Sequence, residues 1–201
     1  MTYFQNDLVD SLKLTFKSQT TIILLAVAFI MTTANHSLFN GIFKLYPPTL
    51  LNLPFLTSLV LFFSSVTAIF FLLICHGKWT KWILAAFLIV SSASAYYMDN
   101  FGVIIDTVMI DNIIQTNRAE LSGLITADLI MRLCVFGAIP AWLILKYSPD
   151  PREFKTELSS RLKALALLLV TIVVVIIPFT SGYATFIREH RIVRFYANPT
   201  P

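Results

Sequence analysis

Five apolar runs, at 20–38, 53–75, 82–98, 129–145 and 162–181, dominate this chain of 201 residues. Each approaches the roughly 20 residues that a helix needs to cross a hydrocarbon core. In lipid every backbone amide must be paired internally, and single runs of this length achieve that only as helices. The composition agrees: 13% of residues are charged and 57% hydrophobic, whereas soluble domains are about a quarter charged. The expected fold is all-α, an integral membrane bundle of five transmembrane helices. Residues 1–181 make up the five-span domain, and 182–201 begin a bridging segment.

The first run follows Lys13 and Lys17 and ends in TTANHSLF, which lacks a small-x-small cleavage site. It reads as a retained span that also serves as the insertion signal. Basic residues then orient the bundle. Nine of them (Lys13, Lys17, Lys78, Lys81, Lys146, Arg152, Lys155, Arg161 and Lys163) fall on one side, and six (Lys44, Arg118, Arg132, Arg188, Arg191 and Arg194) on the other. The positive-inside rule places the N-terminus in the cytoplasm and the C-terminus outside. The net charge of +4 resides at span ends rather than among aromatics on a soluble face, which argues against nucleic-acid binding. Cys75 and Cys134 show no ligand spacing and read as small packing residues. Pro54 opens the second span, where a missing amide costs little; Pro140 and Pro178 predict kinks in the fourth and fifth.

The connection between the third and fourth spans is polar and acid-rich. Within it Ile110, Ile113, Ile114, Leu121 and Leu124 keep the three-or-four spacing of an amphipathic helix. Such a helix can lie in the head-group plane on the outer face. Asn112, Thr116 and Glu120 recur every fourth residue, which stacks them along one face with about 40° between steps. That row suits a phosphoethanolamine-type head group: Glu120 accepts from the ammonium, while Asn112 and Thr116 bond the phosphate oxygens. It equally suits the solvated face of a surface helix, and spacing alone leaves both readings open. The acids Asp99, Asp106, Asp111, Glu120 and Asp128 lack His or Cys at ligand spacing, so no metal site is expected.

Arg132 lies inside the fourth span, which is costly unless it is paired or snorkels. Asp128, four residues earlier, offers a local pair; the alternative is a cation facing a lipid phosphate. The closing motif YATFIREHRIVRFYANP sets Arg188, Arg191 and Arg194 at intervals of three among Phe186, Phe195 and Tyr196. It reads either as a grip on anionic lipid phosphates or as an aromatic belt with basic residues ending a span. No Ser-His-Asp set, inward carboxylate pair or Gly-rich phosphate loop is found, so no catalytic residue is expected in this chain. The ending Asn198-Pro199-Thr200-Pro201 reads as the start of a linker, and the chain as the membrane part of something larger.

Three stretches carry a family resemblance: TTANHSLF at 32–39, SAYYMDNFGVIIDTVMIDNIIQTNRAE at 94–120 and SGYATFIREHRIVRFYANP at 181–199. With them the chain resembles, over nearly all its length, the N-terminal membrane domain of bacterial lipid A phosphoethanolamine transferases, which include the mobile colistin-resistance enzymes. The resemblance implies a multi-pass protein of the bacterial inner membrane, followed by a periplasmic catalytic domain that is absent here. In the family that domain holds zinc and moves phosphoethanolamine from phosphatidylethanolamine to lipid A. It implies that Asn112, Thr116 and Glu120 hold the donor head group. It also implies that Tyr183, Phe186, Arg188, His190, Arg194 and Asn198 lead into the catalytic domain. The implied partners are phosphatidylethanolamine, lipid A and that domain. The competing reading is a small membrane scaffold or transporter subunit. A transporter would carry ionisable residues in mid-span, and Arg132 near one span end is almost alone.

Overall fold

The computed structural model describes residues 18–102, 125–149 and 154–189. Helix α1 spans Gln19–Thr33, α2 His36–Leu45, α3 Leu53–Ile74 and α4 Thr80–Phe101. Helix α5 covers Ala127–Tyr147, α6 Phe154–Ile176 and α7 Thr180–Glu189. No strand occurs among the described residues. Among the described residues four helical stretches are long and apolar enough to cross a membrane, and the bent pair α1–α2, taken as one span, brings the number to five. The end where Gln19 begins is here called proximal, and the end reached by Glu189 distal.

The first run departs from a single straight span. Ser18 caps α1, its hydroxyl accepting from Thr20 N at 3.2 Å. At the other end the amide of Asn35 donates to Ile30 O at 3.1 Å, satisfying a terminal carbonyl. The chain then bends by 58° into α2. Helix α2 buries Leu38 and Ile42, one turn apart, and exposes His36, Asn40 and Lys44. The first span, expected over 20–38, is therefore a broken one whose second piece is amphipathic. The amphipathic helix expected between the third and fourth spans lies outside the described residues.

Helix α1 is the centre of the bundle. Ile22, Ile23, Ala26, Val27, Ile30, Met31 and Ala34 form a wide buried face against α3, α4 and α6. Because lipid is as apolar as these side chains, such association rests on close van der Waals packing and favours small residues. Gly137 shows this where α5 meets α4: an added Cβ would stand 3.3 Å from Ile89 Cα and 3.4 Å from Ser92 Cβ. Of the two cysteines, Cys75 is buried as expected, but Cys134 is exposed on the surface of α5.

Both mid-span prolines perturb their helices. A π-helical turn, Leu133–Ala138, precedes Pro140, with Ile139 N reaching back to Cys134 O. The wider turn makes room for a ring that would otherwise meet the carbonyl of Phe136. Pro178 sits in a 3-10 turn, Ile177–Phe179, that joins α6 to α7. The continuous stretch Lys155–Arg188 has 34 residues. At about 1.5 Å per residue it approaches 50 Å, longer than a hydrocarbon core of about 30 Å, so one end must project.

Arg161 departs furthest from its expected place. Counted as a loop charge, it is 6% exposed and Glu157 is 8% exposed. Its Nε donates to Glu157 Oε1 at 3.1 Å, and Nη2 donates to Gln19 Oε1 at 3.2 Å. Nη1 donates to Leu72 O at 3.3 Å and to Cys75 O, so Arg161 caps the end of α3. Thr20 and Ser160 extend the network, and it ties α1, α3 and α6 together at the proximal end.

Candidate functional site at the distal end

At the distal end Asp99, in the last turns of α4, meets Arg132 of α5. Arg132 Nη2 donates to Asp99 Oδ2 at 2.5 Å, with side-chain exposures of 21% and 13%. Ser37 Oγ of α2 donates to Asp99 Oδ1 at 2.5 Å. Arg132 also reaches Thr33 O at 3.4 Å, and Ser92 Oγ donates to Arg132 O at 3.1 Å. Ion pairing in a span is expected because an isolated charge there is costly. The partner is Asp99 rather than the helix neighbour Asp128, which is exposed. Arg132 thus joins α1, α4 and α5 and is engaged by protein groups.

A second tie lies nearby. Tyr96 OH and Thr126 Oγ1 are 2.5 Å apart. Thr126 also caps α5, accepting from Leu129 N at 3.2 Å. Helix α4 ends at Gly102 with φ of 62°, a left-handed conformation suited to glycine, and Gly102 N bonds Met98 O. These contacts hold together the two feet of the connection that carries Asn112, Thr116 and Glu120. That row, together with His190 and Arg194, lies outside the described residues.

Helix α7 is anchored by aromatics. Tyr183 and Phe186 are 5% and 4% exposed and pack with Leu38, Ile42, Phe55, Leu56 and Leu59. Tyr183 OH donates to Ser58 Oγ at 3.1 Å. The Phe55 ring lies edge-on to Tyr46 and Tyr183, with centroids 5.0 and 5.6 Å away. Gly182 permits this approach, since a Cβ there would come within 2.9 Å of Phe55 Cε2. Two of the sequence candidates therefore face inward and bind α7 to α3, while Arg188 is exposed. Sequence pattern alone does not single out Ser37, Ser92 or Ser58, and it places Asp99 only among the outer acids. The available signal was an acid ending one span and a base inside the next.

Among the described residues no group of three or more His, Cys, Asp and Glu side chains could hold a metal ion. What the geometry defines is a multi-pass helical membrane domain whose distal end is tied, among the described residues, by the Asp99–Arg132 ion pair and the Tyr96–Thr126 hydroxyl pair. The chain belongs to the phosphoethanolamine transferase EptA/EptB family, whose model matches residues 54–201. It is 34% identical to phosphatidylethanolamine transferase Mcr-1 of Escherichia coli over 172 residues, 85% of this chain and 32% of that protein. To phosphoethanolamine transferase EptA of Escherichia coli K12 it is 28% identical over 174 residues, 84% of this chain and 31% of that one. The chain thus spans about a third of the length of these relatives. Its fold resembles the integral membrane lipooligosaccharide phosphoethanolamine transferase A of Neisseria meningitidis, with a TM-score of 0.83 and 21% identity. That likeness covers 89% of this chain and 34% of the other.

Proposed function

We propose that this chain is the membrane domain of an enzyme that takes phosphoethanolamine from phosphatidylethanolamine and transfers it to lipid A. Family membership supports the transfer chemistry, and the name of the Mcr-1 relative supports phosphatidylethanolamine as donor. The acceptor reading draws on the lipooligosaccharide named for the Neisseria protein. In this reading the chain is inactive alone and the reaction belongs to a further, periplasmic domain. The zinc of the family would be held there, where its chemistry is to activate the transfer; no role of the residues described here runs through it. Adding a cationic group to lipid A lowers the anionic charge that attracts polycationic antibiotics such as colistin.

Within this chain the task is to hold the donor. Asn112, Thr116 and Glu120 grip the head group, Glu120 accepting from the ammonium. The observation that carries this reading is the pair of ties, Asp99–Arg132 and Tyr96–Thr126, at the feet of the connection bearing the row. The distal end then faces the periplasm and the proximal end the cytoplasm of the inner membrane. Lys78, Lys81, Lys146, Lys155 and Lys163 support that orientation. Among the described residues the two ion pairs, Asp99–Arg132 and Glu157–Arg161, lie toward opposite ends of the bundle, which favours an anchor over a transport path.

The test is Glu120→Ala in the full-length enzyme, with transfer to lipid A followed by mass spectrometry. Reduced transfer at ordinary membrane levels of the protein is the expected outcome. An unchanged rate removes Glu120 from donor binding.

A further inference from the structure

A cavity of about 250 Å³ opens at the proximal end, the opposite end of the bundle from the Asp99–Arg132 pair. It lies where α1 begins, α4 begins and α5 ends, and it is lined by Gln19, Gly77, Lys78, Lys81, Trp82, Ser148 and Pro149. Two cations and a hydroxyl border it, and no carboxylate among the described residues does. Neither Lys78 nor Lys81 forms an ion pair with a described acid. Its polar wall is preformed. Gln19 is 3% exposed; its amide donates to Gly77 O at 3.0 Å, and its carbonyl accepts from Thr80 and Arg161. Gly77 has φ of 55°, the left-handed conformation that turns the chain under Lys78.

The remaining wall suits a lipid rather than a free anion. Trp82 is 57% exposed and stands on the first turn of α4, where indole rings favour the membrane–water boundary. Near the end of α5, Lys146 sets its Nζ 4.6 Å from the Trp142 ring centroid. The lining offers a ligand both ammonium groups and an apolar ring, the combination that a phosphodiester joined to glycerol and acyl chains would use. Basic pockets between span ends bind anionic lipid head groups by this combination.

We propose that this cavity binds the phosphate-bearing head group of an anionic phospholipid from the adjoining leaflet. Lys78 and Lys81 hold the phosphate by charge-assisted hydrogen bonds, Ser148 donates to a remaining oxygen or hydroxyl, and Trp82 covers the glycerol. A zwitterionic lipid such as phosphatidylethanolamine brings its own ammonium against these lysines and is disfavoured. The site is therefore distinct in chemistry from the proposed donor row.

The test uses the intact chain, delipidated in neutral detergent and titrated with phosphatidylglycerol or phosphatidylethanolamine under native mass spectrometry. Phosphatidylglycerol is expected to bind more tightly. Near a membrane surface each lysine contributes about fivefold, so Lys78→Gln/Lys81→Gln should weaken phosphatidylglycerol by about thirtyfold. The same substitutions should leave phosphatidylethanolamine nearly unchanged. Lys78→Arg/Lys81→Arg should keep the preference, as should the control pair Lys155→Gln/Lys163→Gln at exposed positions of α6. Equal binding of the two lipids overturns the proposal. So does a control pair that loses as much as the test pair, which would mean a diffuse basic belt. Displacement by millimolar inorganic phosphate alone, without lipid preference, overturns the lipid assignment in favour of a soluble anion. None of these readouts depends on transfer activity, so failure here leaves the donor-row reading standing.

Discussion

Arg132 of α5 donates to Asp99 of α4 across 33 residues of sequence, at 2.5 Å, with Ser37 on the second carboxylate oxygen. Both carboxylate oxygens are thus satisfied, and one guanidinium links three helices. Asp128 lies a single turn from Arg132 on the same helix yet plays no part in this pair.

Removing one partner should leave the other charge largely desolvated. Arg132→Met is expected to lower stability by about 1–3 kcal/mol, read as a fall in thermal midpoint in detergent. Asp99→Asn combined with Arg132→Met should cost less than the two single changes together. Strict additivity would show that the pair is not coupled.

The same pair has a functional readout if the connection above it carries the donor. In the full-length enzyme Asp99→Asn should raise the apparent KM for phosphatidylethanolamine more than it lowers kcat. A purely structural role predicts less folded protein with unchanged KM, so the split between the two constants discriminates.

At the proximal end Arg161→Met should be more damaging, by about 3–5 kcal/mol, because it strands the Glu157 carboxylate among buried groups. It also uncaps the carbonyls of Leu72 and Cys75. Adding Glu157→Leu should recover part of the loss. Arg161→Lys should not restore the wild-type midpoint, since an ammonium cannot span Glu157, Gln19 and the α3 carbonyls as the planar fork does. A lysine variant with normal stability refutes the cap.

Gly182→Ala places a methyl group 2.9 Å from the Phe55 ring. That ring is held by Tyr46, Phe179 and Tyr183 and has little room to yield. The expected cost is about 1–3 kcal/mol, with partial relief from Phe55→Leu. Equal destabilisation in both backgrounds would place the strain elsewhere.

The lipid-spanning character, the helices and the positions where Pro140 and Pro178 interrupt regular α-helix were legible in the sequence. Each follows from local rules: internal amide pairing, apolar length, and the missing donor of proline. The bend after Thr33 was harder to read, because Asn35 acts through a side-chain cap inside an otherwise apolar run. Tyr183 and Phe186 could be picked out as a motif, but their inward packing against α3 could not.

The sequence by itself determined the class of protein and the family it belongs to, since hydropathy and motifs are properties of consecutive residues. Tertiary structure decided the partners of its charges. A helical period says which residues share a face, but not which neighbouring helix meets that face. Only the packing of α4 beside α5 gives Arg132 to Asp99, and only the seating of α6 against α1 and α3 turns Arg161 from a loop charge into a buried cap.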